Sequence, residues 1–311
     1  MSIPAGVLVT GARGALGAQA ARLLADGGAE VYAVGRPGST PRDDLPDGVR
    51  WIECDLRDED QVRAALTEAK PSAVVHTAGI AGTSDLGALF QANVLALANV
   101  IEAVDRAAVE RILVIGSAAE YAPTEGREPL REDHALGPSN RYGLSKLFQF
   151  ELCRQQVRAG MPIVYARPFN MIGPGVSGAT AVGDITRRLA AVIEKSDSDV
   201  LEVGDLNRWR DYTDVRDAAA ACVTLLRAGR PGDVYNVCTG VPVALSDVVE
   251  RLVSMAGRAI RLRHVERDAS AGFQVGDPSR VRELGWTPTY DLETSLRDGL
   301  ESELRAVNRT R

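Results

Sequence analysis

The stretch Val7-Leu8-Val9-Thr10-Gly11-Ala12-Arg13-Gly14-Ala15-Leu16-Gly17 decides how the rest of the chain reads. Its first four residues are short, aliphatic and β-branched, which predicts a strand, and the apolar-periodic residues 18–25 predict a helix. Three glycines stand between them. Gly11 permits a tight strand-to-helix turn, Gly14 lets the backbone approach a pyrophosphate, and Gly17 lets helix and sheet pack closely. The helix N-terminus then presents unpaired N–H groups and the positive end of its dipole to the anion. In this strand-turn-helix context the glycine pattern reads as a dinucleotide-binding turn.

Outward from this turn, strand signals recur at 31–34, 51–54, 73–76, 112–115 and 162–166, with helical patterns at 61–69, 89–106 and 142–159 between them. That alternation predicts right-handed crossovers and a parallel sheet covered on both faces, a doubly wound α/β Rossmann fold. The helices at 89–106 and 142–159 carry enough apolar residues to pack on the sheet and leave a second stripe, a candidate intersubunit surface. After Arg167 the composition changes: Pro168, Gly173, Pro174, Gly175 and Gly178 cluster in a loop-rich segment. Further on, a helix is expected at 184–194, a strand at 234–237, a helix at 246–255 capped by Ser246, and a helical segment over 284–300. Residues 1–167 are therefore read as a dinucleotide-binding domain, with 211–237 returning to it, and 168–311 mainly as a smaller α/β substrate domain.

With 311 residues, 45% hydrophobic and 25% charged, the chain can bury a large core. Neither a basic, apolar leader at Met1-Ser2-Ile3-Pro4 nor an unbroken bilayer-length apolar stretch is read, so a cytoplasmic protein without a membrane partner is expected. Cys54, Cys153, Cys222 and Cys238 lie far apart, as do His76, His134 and His264, which predicts buried thiols and no metal site. A net charge of −6 gives no global attraction for nucleic acid, so a phosphate-bearing ligand would need local arginines.

Tyr142 and Lys146 stand four apart in a predicted helix and so share a face. An ammonium beside a phenol favours the phenolate, which makes Tyr142 a candidate general acid or base. Upstream, Val114-Ile115-Gly116-Ser117-Ala118-Ala119-Glu120-Tyr121 is a strand end running into a polar turn, the place where doubly wound sheets carry ligand contacts. Ser117 there would complete a Ser-Tyr-Lys set that orients a carbonyl and exchanges its proton. Cofactor choice turns on the end of the second strand, where a carboxylate would hold the ribose 2′-hydroxyl of NAD and an arginine would accommodate a 2′-phosphate. That strand ends in Gly35-Arg36, and Arg13 is a second candidate, so NADP(H) is favoured over NAD(H).

Taken together, these segments resemble an extended short-chain dehydrogenase/reductase of the NAD-dependent epimerase/dehydratase family, over nearly the whole length. The run Thr10-Gly11-Ala12-Arg13-Gly14-Ala15-Leu16-Gly17 resembles its cofactor loop, Asp55-Leu56 its adenine contact, and Thr77-Ala78-Gly79 its third-strand turn. Ser117, Tyr142 and Lys146 match its catalytic set, with Tyr142 and Lys146 also meeting the cofactor. Arg167-Pro168-Phe169-Asn170-Met171-Ile172-Gly173-Pro174-Gly175 resembles the loop that brings Asn170 to a sugar diphosphate, and Arg210 opens the segment whose arginine meets that diphosphate. Ser117, Glu120 and Arg280 are counted as further substrate contacts on the same resemblance. The stretches Tyr235-Asn236-Val237-Cys238-Thr239-Gly240 and Leu284-Gly285-Trp286-Thr287-Pro288 make the chain most similar to the 4-ketoreductase branch typified by GDP-4-keto-6-deoxy-D-mannose reductases. The resemblance implies a homodimer and a nucleotide-diphosphate sugar as substrate.

Two positions depart from the pattern. Ala119 occupies the place where 4,6-dehydratases carry an acid, with Glu120 one position along, and Ala122 stands where the family usually has Gly. The reading that follows is NADPH-dependent reduction of the 4-keto group of a nucleotide-diphospho-4-keto-6-deoxyhexose. A C4 epimerase that retains NAD is the alternative within enzymes, and an NADP-binding sensor or scaffold of the same fold is the alternative outside them.

Overall fold

The computed structural model describes residues 4–106, 108–176, 178, 180–194, 199–265 and 272–309. Its first strand, β1 (Gly6–Thr10), carries Val7, Leu8 and Val9, all buried, because it lies inside a parallel sheet covered on both faces. Along the chain follow α1 (Ala15–Asp26), β2 (Glu30–Gly35), β3 (Arg50–Glu53), α2 (Glu59–Ala69) and β4 (Ala73–His76). One helical run then comprises α3 (Leu86–Phe90), a π-helical turn (Gln91–Leu95) and α4 (Ala96–Ala103), and leads to β5 (Arg111–Ile115), α5 (Arg141–Arg158) and β6 (Ile163–Pro168). The remainder is β7 (Asn170–Ile172), α6 (Ala181–Glu194), β8 (Val200–Val203), β9 (Arg208–Arg210), β10 (Tyr212–Asp214), α7 (Val215–Ala228) and β11 (Val234–Val237). After these come β12 (Val243–Ala244), α8 (Leu245–Ser254), β13 (Arg261–His264), β14 (Gly272–Gln274), α9 (Ser279–Glu283) and α10 (Leu292–Arg309).

Seven strands form the central sheet in the order β11-β6-β5-β4-β1-β2-β3, every neighbouring pair parallel. It is the doubly wound Rossmann architecture expected from the sequence. From β1 the chain winds outward to β2 and β3, and from β4 it winds the other way, so the order reverses between β1 and β4 and opens a crevice beyond their C-terminal ends. Apolar residues of α1 and α7 cover one face of the sheet, and those of α2, α4 and α5 cover the other. A third core joins α6, α8, α10 and β8, beside small sheets ordered β12-β9-β14, β10-β7 and β13-β8. Strand β11 and helix α7 return to the main sheet, while β9 and β14 lie at the mouth of the crevice.

Several expectations are corrected. Residues 284–300 are not one helix: Gly285 takes a left-handed φ of 89° just after α9, and α10 begins only at Leu292. The intervening segment is held by α7, where the Asp217 backbone oxygen accepts from Trp286 Nε1 and its carboxylate from the Thr289 and Tyr290 N–H groups. Ser246 does not cap α8, which starts one residue earlier behind Ala244 with no side-chain cap. The run 86–103, broken in sequence by Gln91, Asn93, Asn99 and Glu102, is nonetheless long and apolar enough by composition to cross a membrane. In this fold its inner face, including Leu97, Val100 and Ile101, packs into the core beside the sheet.

Candidate active site

The crevice is one cleft of about 740 Å³ that runs from the Gly-rich turn past the ends of β4 and β5 to β9 and β14. At the turn, Gly11 has a φ of 69°, and a Cβ there would stand 2.7 Å from the Ala78 backbone. One turn into α1, a Cβ on Gly17 would come within 2.5 Å of the Gly11 carbonyl and 2.6 Å of Thr77 Oγ1. Helix α1 starts with no side-chain cap and no acidic residue in its first turn, so among the described residues no side chain competes for its leading N–H groups at the cleft. These features suit a dinucleotide pyrophosphate. Arg13, Gly14, Ala15, Leu16, Thr77 and Gly79 share this lining with Gly11 and Gly17. Thr10 and Ala78 stand just behind it, joined by an Ala78 N–H to Thr10 Oγ1 bond of 3.4 Å, with Thr10 Oγ1 also 3.0 Å from His76 Nδ1. His76 is fully buried, and burial, with Lys146 nearby, drops its pKa to about 3.

Arg36, Asp55 and Leu56 lie at the ends of β2 and β3, outside the lining of the main cleft. Asp55 is engaged by Arg57 at 2.6 Å, and Leu56 packs at the edge of the core. Gly35, which ends β2, has a physical reason to lack a side chain: a Cβ there would overlap the ring of Trp51 on β3. A carboxylate-bearing side chain at that position would have to displace the Trp51 ring.

Ser117, Tyr142 and Lys146 all line the cleft, between the Gly-rich turn and β9. Ser117 sits where β5 breaks into a 3-10 turn, and its Oγ accepts the Ala119 N–H at 3.1 Å, leaving the hydroxyl proton to donate outward. Tyr142 is in the first turn of α5, which Asn140 caps by accepting the Gly143 N–H at 2.8 Å. Burial raises the phenol pKa, the Ser117 hydroxyl lowers it, and Glu120 raises it. This differs from the expectation that Lys146 governs the phenol. The lysine Nζ is turned instead to the Ile115 carbonyl at 2.9 Å and Gln149 Oε1 at 2.7 Å. Its burial lowers its own pKa to about 8, against the pull of Glu120.

Asn93 was not singled out from the sequence. It lies in the π-helical turn, a feature that often marks a functional position. Fully buried, it takes the Ile80 N–H at 2.8 Å and donates to the Ile80 carbonyl at 3.1 Å and to Ser145 Oγ at 2.9 Å. Asn93 thus ties the turn after β4 to α5, between Tyr142 and Lys146. The available signal was an amide side chain on the apolar face of that helical run, where its neighbours Leu89 and Leu97 are buried.

Two expected substrate contacts are corrected. Glu120 does not face the cleft: fully buried, it accepts the Ser117 N–H at 2.8 Å, the Tyr165 hydroxyl at 2.8 Å and Arg167 Nε at 2.7 Å. The side chains of Ala119 and Glu120 point to different surroundings, and only Ala119 lines the cleft. Glu120 therefore does not replace the dehydratase acid. Arg280 lies on α9 beside β11, paired to Asp233 at 3.1 Å and stacked over Tyr235, outside the cleft lining. Ala122, the other departure, is accommodated by Gly137, where a Cβ would stand 3.2 Å from the alanine methyl.

On the far wall, Asn170, Arg208, Arg210, Tyr212 and Gln274 line the cleft. Asn170 Nδ2 donates to the Asp211 carbonyl at 3.1 Å, and Gln274 Nε2 donates to the Ala118 carbonyl at 3.0 Å, which joins β14 to the Ser117 turn. Arg208 is a second residue that sequence reading passed over. Among the described residues the cleft is lined by Arg13, Lys146, Arg208 and Arg210 and by no carboxylate, in a chain of net charge −6. Such a lining concentrates polyanions.

Comparison with known proteins places this geometry. The profile of the NAD dependent epimerase/dehydratase family matches residues 7–238. GDP-6-deoxy-D-mannose reductase of Pseudomonas aeruginosa is 32% identical over 240 residues, 73% of this chain and 78% of that protein. The structure of RMD from Pseudomonas aeruginosa complexed with NADPH superposes with a TM-score of 0.81 at 28% identity, over 97% of this chain and 99% of that one. UDP-glucose 4-epimerase of Thermus thermophilus in complex with NAD superposes with a TM-score of 0.84 at 26% identity, over 96% and 98%. The chain, an enzyme of the oxidoreductase type, belongs to the NAD dependent epimerase/dehydratase family.

Proposed function

We propose that the protein reduces the 4-keto group of a nucleotide-diphospho-4-keto-6-deoxyhexose, with NADPH as hydride donor, and does so as a homodimer. The observation that carries this reading is the cleft: an uncapped helix N-terminus, the Ser117, Tyr142 and Lys146 side chains, and two arginines on β9 line it together, with no carboxylate among the described lining residues. A ligand pair with a pyrophosphate at each end and a carbonyl between them matches that sequence of groups. The bound dinucleotide supplies the hydride; proton delivery and orientation fall to the protein. Tyr142, its pKa raised by burial, is protonated at neutral pH and so is poised to donate to the C4 oxygen as negative charge develops there. Ser117, whose Oγ accepts the Ala119 N–H, still has its own hydroxyl proton to donate to the same oxygen. The buried ammonium of Lys146, held on the Ile115 carbonyl and Gln149, lines the same cleft and would meet the cofactor there.

Net reduction is favoured over dehydration because Ala119 provides no acid to expel water and Glu120 is committed to Arg167. NADPH is favoured because Trp51 excludes a side chain at position 35, while Arg36 and Arg13 remain to meet a 2′-phosphate. The RMD neighbour holds NADPH and the epimerase neighbour NAD, so the choice rests on this chain's own residues. The test is to incubate the protein with 4-deuterated NADPH and GDP-, dTDP- or UDP-4-keto-6-deoxyhexoses. Stoichiometric NADPH oxidation with deuterium at C4 of the product is expected. If the ketones are untouched, and a saturated nucleotide hexose with NAD is epimerised without net oxidation, the protein is an epimerase instead.

A further inference from the structure

Alternate residues of a strand share a face, so Arg208 and Arg210 project from β9 to the same side, and both line the cleft. Their surroundings differ. Arg210 is anchored through Nη1 to the carbonyls of Trp209 at 2.9 Å and Gly272 at 2.8 Å. Arg208 has no side-chain hydrogen bond or ion pair among the described residues, and its Nε is buried with no partner at all. Across the strand pair, Gly272 stands in register with Arg208, so β14 places no side chain beside that guanidinium.

A buried charged donor left unpaired is costly, and a neighbouring like charge adds to the cost. Arg210 registers this neighbour: its pKa is lowered first by burial and next by the charge of Arg208. No carboxylate among the described lining residues pairs with Arg208. What would relieve it is a ligand with two negative charges and several acceptor oxygens close together. Planar guanidinium forks suit phosphoryl oxygens in particular.

We propose that Arg208 is a second phosphate ligand, so that β9 grips both phosphoryl groups of a nucleoside diphosphate and discriminates diphosphates from monophosphates. The proposal rests on the nucleotide-sugar reading above. It makes Arg208 a specificity-determining residue, with Arg210 holding one phosphoryl group and Arg208 the other. The pyrophosphate of a dinucleotide would be held elsewhere in the cleft, at the start of α1, and Arg208 on β9 would take no part in holding it.

The test is calorimetric titration of the protein saturated with NADPH, using GDP, UDP and dTDP, their monophosphates, and inorganic pyrophosphate. Wild-type protein is expected to bind at least one diphosphate more tightly than its monophosphate. Arg208→Gln should weaken that diphosphate and pyrophosphate by about ten- to a hundredfold, the size of one or two lost charged hydrogen bonds, and change the monophosphate by less than about threefold. Its affinity for NADPH should match wild type and its melting temperature should equal or exceed it, since an unpaired charge beside Arg210 is removed, and Arg208→Lys should recover part of the binding loss. The role of Arg208 is overturned if Arg208→Gln binds diphosphates like wild type, or if it loses monophosphate and diphosphate equally. If wild-type protein binds NADPH but none of the diphosphates, the nucleotide-sugar reading itself falls, and the proposal with it.

Discussion

Tyr142 and Lys146 share one face of α5, yet their ionisation is set more by burial than by each other. For Lys146 the sign can be followed through. A lysine exposed in the unfolded chain titrates near 10.4, whereas in the fold it titrates near about 8, so between those values the unfolded chain binds more protons. Burying Lys146 therefore costs stability below about pH 8, and that cost fades as the pH rises toward the unfolded value. For the proposed catalysis the consequence runs the other way: the cationic form of Lys146 that faces the cleft is lost as the pH rises through about 8. The expected result is a kcat/KM profile, measured at saturating NADPH, with an alkaline limb near pH 8. A limb that stays near the ordinary lysine or tyrosine value would remove Lys146 from that role. In Tyr142→Phe, turnover should fall by about two to four orders of magnitude while cofactor affinity stays within about twofold. Retained turnover would show that the proton comes from elsewhere. Below these residues, Glu120 meets Arg167, whose guanidinium centre lies 4.5 Å from the Phe150 ring centroid. That buried pair fixes the Ser117 turn from beneath, through the Ser117 N–H.

At the scale of elements, what was legible in the sequence is what local chemistry dictates. The Gly-rich turn, the alternating strands and helices and the Tyr-x-x-x-Lys spacing each depend on neighbours in the chain, and the structure brings the residues they single out to one crevice. What was not legible depends on residues distant in sequence. Glu120 reads as a polar residue in a ligand-bearing turn, and only the arrival of Arg167 and Tyr165 on β6 turns it inward. Arg280 counts as a substrate contact in the sequence until Asp233 and Tyr235 are seen to take it. Arg208 stood two residues from a recognised arginine, but its exposure to the cleft is set by the pairing of β9 with β14. The same distinction governs Gly35, which reads as a cofactor determinant but is also a packing site under the Trp51 ring. Gly35→Asp, the obvious change for recruiting NAD, is therefore expected to fail: it should lower stability by about 1–3 kcal/mol through overpacking, without making NADH bind more tightly than NADPH. Denaturant unfolding and paired NADPH and NADH dissociation constants check both halves. A stable variant with reversed preference would show that β3 yields easily and that position 35 alone selects the cofactor.

Over the whole molecule, charge and apolar surface are distributed unequally, and each has a consequence. The chain is acidic overall, yet its cleft is lined by cations, so the attraction for phosphate-bearing ligands is local. Apolar surface gathers elsewhere. Leu86 and Leu95, on the run from α3 to α4, are 39% and 44% exposed, and Phe148 on α5 is 48% exposed while its ring lies 4.9 Å from Phe90. Large side chains clustered on two adjacent helices favour removal from water at about 25 cal/mol per Å². Phe148 lies two positions beyond Lys146, so the surface that would bury it is the back of the helix that carries Tyr142. If this face joins two copies, assembly holds α5 on the side opposite the cleft and limits how far Tyr142 and Lys146 can move. Phe148→Glu puts a charge where the second copy would sit and leaves the core residues of α5 untouched. Light scattering is expected to give about twice the 33.2 kDa chain mass for wild type and about one chain mass for the variant. The variant should also melt at a lower temperature and turn over more slowly, with NADPH affinity less affected, because the Gly-rich turn belongs to α1 and not to α5. A variant that remains dimeric would place the interface elsewhere; a monomeric wild type with full turnover would show that α5 needs no partner to hold Tyr142 in place.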